Sequence, residues 1–254
     1  MASALSAVGV ERGDKVTRLE AFVDASFAFA LTLLVISVDA IPGSIGELTD
    51  ALKQIPTYAL SFNLIALFWT SHAQWSRWFG IDDDASRRLS LALVFVLLIF
   101  IYPLKMVFGA FFHAISGGWL AATFTLQSDA EILVVFRVFA VGYGSMAMIM
   151  AMLFGRAVRL APSLAFSPIE SMQAMHYRTN WRIVAGFCLV SFLLTLVMPV
   201  DRPIGFWLGL PGYVLFGLFA AQLMRWRLYR KKLRKLEDAT APAAPRESTA
   251  VSQP

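Results

Sequence analysis

Asp24 and His72 are the residues of this chain whose types and settings could do chemistry. Asp24 lies in RLEAFVDASFAFALTLLVI, residues 18–36, an apolar run about long enough to cross a bilayer. His72 lies in FWTSHAQW, within the next apolar run. An ionisable side chain inside a membrane helix is costly, and by default it marks a functional site with a partner elsewhere. A carboxylate and an imidazole at one depth could relay protons in a coupled transporter, or could hold two helices together. Asp24 sits six residues in from the basic start of its run, about 9 Å deep at ~1.5 Å per residue. His72 sits about five residues before the end of the returning run, so the two share a depth, and Trp69 stands one turn from His72 on the same face. Arg18, two turns or less from Asp24, could complete a network of Arg18, Asp24 and His72 that satisfies the buried charge. The placement favours a polar clamp between helices over direct contact with an ion.

These residues need a membrane around them, and the composition supplies it. Of 254 residues, 58% are hydrophobic and 15% charged, and the mean hydropathy is +0.65. Soluble domains are typically about 45–50% apolar and about 25% charged. Soluble-enzyme signatures are missing: there is no GxGxxG, P-loop, HExxH or GxSxG. With three histidines, His72, His113 and His176, a catalytic metal site is not expected, and the reading is of a protein that is not an enzyme and needs no cofactor. The sole cysteine, Cys188, rules out an intrachain disulfide and a cysteine metal cluster. The net charge of +5 and pI of 9.6 come from basic residues at helix ends and in one tail. That placement speaks of topology and not of a nucleic-acid surface.

The apolar runs predict an all-α membrane protein of six transmembrane helices. After a polar arm at 1–17, the first helix covers 18–36; the run is too long for a signal peptide's apolar region and contains Asp24. A loop with Glu47, Asp50 and Lys53 follows. The second span is expected from about Thr57 to Phe79. The third runs from about Leu89 to Phe112 and is interrupted at Pro103, with Lys105 reaching towards water at the far interface. The fourth is expected over about Ile132 to Phe154, with Arg137 also snorkelling. The fifth covers about Ile183 to Met198, after a basic loop holding Pro162 and Pro168, and the sixth about Ile204 to Met224. A basic, then Ala/Pro/Ser-rich tail fills 225–254. The domain reading is therefore an arm at 1–17, a six-helix unit at 18–224 and a tail at 225–254.

Arginine and lysine set the orientation. Arg12, Lys15 and Arg18 precede the first span; Arg77, Arg87 and Arg88 lie between the second and third; Arg156, Arg159, Arg178 and Arg182 lie between the fourth and fifth. The tail after the sixth has the densest cluster, whereas the opposite loops hold only Lys53 and Arg202. The positive-inside rule then puts both termini in the cytoplasm. The outer loops carry Asp39, Glu47, Asp50, Asp129 and Glu131. Acidic groups near a pore mouth concentrate cations, although ordinary solvated loops look the same.

A second pattern in the first helix is a stripe of Phe22, Ser26, Phe29, Leu33 and Ile36, spaced three or four apart and so on one face, with Thr32 beside it. Periodicity alone leaves three readings of this stripe open: packing, lipid contact or pore lining.

The first two spans resemble the transmembrane-protein-175 family, the endolysosomal potassium channels and their bacterial homologues. The family pattern is an arginine, three residues and Phe-Ser-Asp, then Thr-Leu-Leu, with Trp-x-x-His in the second helix. Arg18, Phe22, Asp24, Thr32, Leu33, Leu34, Trp69 and His72 match it. The likeness also takes in the six-helix plan and Pro103. It implies a potassium-preferring channel without a pore loop, in which four six-helix subunits surround a pore lined by their first helices. By the same resemblance Phe29, Thr32, Leu33 and Ile36 line the constriction, while Arg18, Phe22, Asp24, Trp69 and His72 secure the first helix. The implied partners are three further copies of the chain, the lipid of the cell membrane, and potassium with other monovalent cations as permeant ions. Two positions depart from the pattern. Val23 replaces the family serine and removes a hydroxyl from the network, and Phe29 fills a layer usually held by Ile or Leu. A proton-linked transporter using Asp24 and His72, and a nonconducting scaffold with a lipid-binding basic tail, are the alternatives.

Overall fold

The computed structural model describes residues 13, 16–36, 42–120, 129–197, 224–225 and 227–231. These form helices alone: α1 (Arg18–Ile36), α2 (Ile45–Leu52), α3 (Ile55–Phe79), α4 (Asp84–Ile115), α5 (Asp129–Leu160) and α6 (Pro168–Val197). Among the described residues, three segments are long and apolar enough to cross a membrane, namely α4, α5 from Leu133 and α6. The expected sixth span, 204–224, and most of the tail lie outside the described residues.

Local chemistry explains where the helices differ from the expectation. The loop predicted around Glu47 is the helix α2. Ser44 accepts from Glu47 N–H at 3.2 Å, and the Glu47 carboxylate accepts from Gly43 N–H at 2.8 Å. Such reciprocal capping makes a short helix worthwhile even though none of its residues is buried. The same device sets the start of α6. Ser167 and Glu170 cap one another at 2.6 and 3.2 Å, and Pro168 takes the first helical position, where its missing N–H costs nothing. The fifth span therefore begins in what reads as a basic loop, well before Ile183.

Pro103 does not interrupt the third span. α4 continues through it from the Asp83 cap, which accepts from Ser86 N–H at 2.8 Å, to Ile115. Membrane helices tolerate an internal proline when neighbours resatisfy the backbone. At ~1.5 Å per residue, the 32 residues of α4 span about 48 Å, well beyond a hydrocarbon core of about 30 Å.

The core is aromatic and joins α3 to α5 and α6. Phe68 stacks on Trp181 with centroids 4.9 Å apart and meets Tyr143 edge-on at 5.4 Å. Trp75 donates to the Leu153 carbonyl at 3.0 Å and Trp181 to Ser71 Oγ at 3.0 Å, so each buried indole N–H is satisfied. Arg156 of α5 pairs with Asp83, and Phe79 stacks on Phe166 at 5.3 Å. These contacts gather the 80–83 turn and the α5–α6 connection, two of the arginine-bearing segments, at one end of the bundle.

Two basic residues expected to reach water are instead engaged by the bundle. Lys105 is buried, its Nζ 5.0 Å from the ring centroid of Tyr58 in α3, a cation–π contact that covers it. Arg137 donates to Thr195 twice, from Nη2 to the carbonyl at 2.7 Å and from Nε to Oγ1 at 3.2 Å. It thereby ties α5 to the last turns of α6. Arg137→Met should destabilise the fold by about 1.5–3 kcal/mol, read as a lower thermal unfolding midpoint in detergent.

Candidate functional site

α1 has two faces with different fates. Val23, Phe27, Ala30 and Leu34 are at most 1% exposed and dock against α3 and α4. The stripe that holds Phe22 and Phe29 points away, with these rings 52% and 57% exposed. Thr32 is exposed beside them, and Ser26 and Leu33 are half-buried. The side chain of Ile36 lies outside the described residues. Both hydroxyls turn back on their own helix, Ser26 to the Phe22 carbonyl at 2.7 Å and Thr32 to the Ala28 carbonyl at 2.9 Å. A polar group that borrows a backbone partner in this way can sit on an apolar helix without a neighbour.

Asp24 and His72 each have a hydrogen-bond partner, but not one another. The half-buried carboxylate of Asp24 accepts from Trp69 Nε1 at 2.8 Å. His72 is 1% exposed, its Nε2 lies 2.9 Å from Ser90 Oγ on α4, and its ring packs at 5.7 Å on Trp75. Arg18 is exposed and pairs with no group among the described residues. The expected network of three is thus two separate pairs, Asp24–Trp69 across α1 and α3 and His72–Ser90 across α3 and α4. Geometry gives the reason. Arg18 and Asp24 are six residues apart, about 240° around a helix at ~100° per residue, and so lie on different sides. Trp69 and His72, three apart, divide the face of α3 between α1 and the core.

Ser90 is the partner missed by sequence reasoning. Its only signal is a serine four residues after Ser86 in an apolar helix, both fully buried. Val23, where the family pattern has serine, is 0% exposed among apolar neighbours, so this chain has filled the position with core. Trp69→Phe removes one donor and leaves a half-exposed carboxylate. It should cost about 1–2 kcal/mol, seen as a lower unfolding midpoint that Asp24→Asn does not lower further in the double variant.

Chemically, the outward face of α1 offers two apolar rings, Phe22 and Phe29, and two hydroxyls, Ser26 and Thr32, and the Asp24–Trp69 hydrogen bond ties the helix to α3. Among the described residues no three His, Cys, Asp or Glu side chains converge as a metal site would require.

Comparison with known proteins agrees with the resemblance. Residues 18–103, from the first residue of α1 to Pro103 in α4, match the family model described as "Endosomal/lysosomal potassium channel TMEM175". A protein of Marivirga tractuosa named "Potassium channel" is 27% identical over 234 residues, covering 89% of this chain and 92% of its own. Among solved structures, a variant of the potassium channel MtTMEM175, in complex with a nanobody–MBP fusion protein, aligns with a TM-score of 0.76. It is 23% identical, over 89% of this chain and 98% of that one, and shows that the fold is shared. The transmembrane-protein-175 resemblance read from α1 and α3 is borne out.

Proposed function

We propose that this chain is one subunit of a potassium channel of the transmembrane-protein-175 type, a multi-pass protein of the cell membrane. The first helices of four copies surround the pore, and no pore loop is needed. Each copy contributes six spans at 18–224, with the arm at 1–17 and the tail at 225–254 in the cytoplasm. Phe29, Thr32, Leu33 and Ile36 form the constriction, while Asp24 with Trp69, and His72 with Ser90, brace the helices behind it. Phe22 shares the outward face, and Arg18 marks the inner end of α1.

The observation that carries this reading is the division of α1 into a fully packed face and an exposed one, in the segment that the family model matches. A helix that is apolar all round buries both faces in its working assembly, and the second face stays exposed among the described residues. Support for potassium comes from the relatives, which are named as potassium channels.

The test uses purified protein in liposomes loaded with potassium or sodium. Passive potassium efflux faster than sodium efflux, without a proton gradient, is the expected result. A Phe29→Cys, Cys188→Ser variant should in addition be linked between subunits by a short bis-maleimide. Flux that appears only with a proton gradient, or linkage confined to lipid-facing controls such as Phe95→Cys, would contradict the pore assignment.

A further inference from the structure

A groove of about 670 Å³ runs between α5 and α6 on the outside of the bundle. Its floor is a close approach of the two helices, where a methyl group on Gly144 would come within 2.9 Å of Cys188 Cβ. Its walls are apolar and open: Val141, Met148 and Leu189 are 55%, 48% and 58% exposed. From Arg182 to Phe192 the groove follows α6 for about 15 Å at ~1.5 Å per residue. Gly186, within this stretch, has nothing within 4 Å of where a Cβ would stand.

Charge enters this groove at one end only. Ser145 donates its hydroxyl to the Val141 carbonyl at 2.6 Å, and Cys188 is buried, so neither offers a donor outward. Arg182 is exposed, lines the groove and pairs with no group among the described residues. Arg178 stands one turn earlier on the same side of α6, its Cδ 3.7 Å from where a Cβ on Gly155 of α5 would lie. The Nε of Arg178 is buried without a partner, and neither arginine meets a carboxylate among the described residues. Both belong to the arginine-bearing end of the bundle.

Two unpaired guanidinium groups at the mouth of an apolar groove call for a partner that is anionic at one end and apolar over the rest. A free inorganic anion would meet the charge and leave the walls bare, and an uncharged lipid would do the reverse. A phospholipid of net negative charge does both. The guanidinium fork matches phosphate oxygens, and an acyl chain covers apolar side chains that would otherwise stand open. Basic pockets between membrane helices on the cytoplasmic side suit such headgroups, and the arginine distribution puts this mouth on that side. We propose that α5 and α6 hold an anionic phospholipid, its phosphate on Arg182 with Arg178 behind it and one acyl chain along the groove past Gly186 to Phe192. The site lies away from α1, which docks against α3 and α4, and it stands whether or not the first helices line a pore.

The test is native mass spectrometry of the full-length protein in detergent, with phosphatidylglycerol and phosphatidylcholine of the same acyl chains at equal concentration. The expected result is one phosphatidylglycerol retained per subunit in preference to phosphatidylcholine. Arg182→Gln, at an exposed position, should weaken phosphatidylglycerol binding about tenfold, as for loss of a hydrogen bond to a charged group. Gly186→Trp keeps both arginines and fills the groove where there is room for a side chain, and it should abolish the preference. Both variants leave the basic tail intact, so a preference that comes from the tail would survive them. Equal retention of the two lipids by wild type, or an unchanged preference in either folded variant, would overturn the proposal. So would bis-maleimide linkage between subunits of a Leu189→Cys, Cys188→Ser variant, which would give the groove to a second copy of the chain.

Discussion

Phe29→Ala is expected to raise passive potassium flux through liposome-reconstituted protein several-fold. The ring is 57% exposed in the single chain, so its removal costs little packing within the subunit, and the unfolding midpoint should stay close to wild type. In the proposed tetramer four such rings meet at one level. Large apolar rings at a constriction exclude water, and a dewetted constriction blocks ions without touching them. Alanine opens that level and lets water persist. Leu33→Ala, half-buried and one turn further on, should act in the same direction but less, because part of its side chain packs on the core. Unchanged flux in a Phe29→Ala protein that still assembles would remove Phe29 from the constriction.

Gly142→Ala should cause a clear loss of stability. A methyl group on Gly142 would overlap the ring of Phe100, with Cγ only 2.7 Å away. Phe100 is 4% exposed and braced at 5.8 Å by Phe139, so it cannot swing clear cheaply. α4 and α5 would have to separate, at a cost of about 1–3 kcal/mol or more for overpacking. The loss should appear as a lower unfolding midpoint in detergent. Phe100→Leu should be destabilising alone yet recover part of the loss when combined with Gly142→Ala, the sign expected when two side chains compete for one space. A Gly142→Ala protein as stable as wild type would show that the two helices do not approach so closely.

The helices of this chain were legible wherever hydrophobic burial decides them. The bounds of α1 are those of the apolar run from Arg18 to Ile36, and α3 follows its predicted span to within two residues at its start. The misses have a common origin in local polar chemistry that hydropathy averages away. Serine and glutamate three apart start both α2 and α6, and each pair reads as loop when only apolar content is weighed. Pro103 reads as a break because an isolated helix would break there; packing neighbours make the difference. The candidate site was legible in its members but not in its pairings. Asp24, Trp69 and His72 stand out as polar groups in apolar helices, yet which one meets which depends on helix rotation, and that is set by the core. Ser90 was invisible because a serine in an apolar helix breaks no pattern on its own.

Thr32 gives its only proton to the carbonyl of Ala28, and this has an electrical meaning. A hydroxyl has one donor and two acceptor lone pairs. Once the proton is committed inward, the oxygen presents electron density alone to whatever passes its exposed side. Four such oxygens around an axis would form a collar of negative potential carrying no net charge. In the proposed tetramer it would welcome a cation that has shed part of its water and would offer chloride no proton to lean on, so that the direction of one hydrogen bond within the helix would set the sign of the permeant ion.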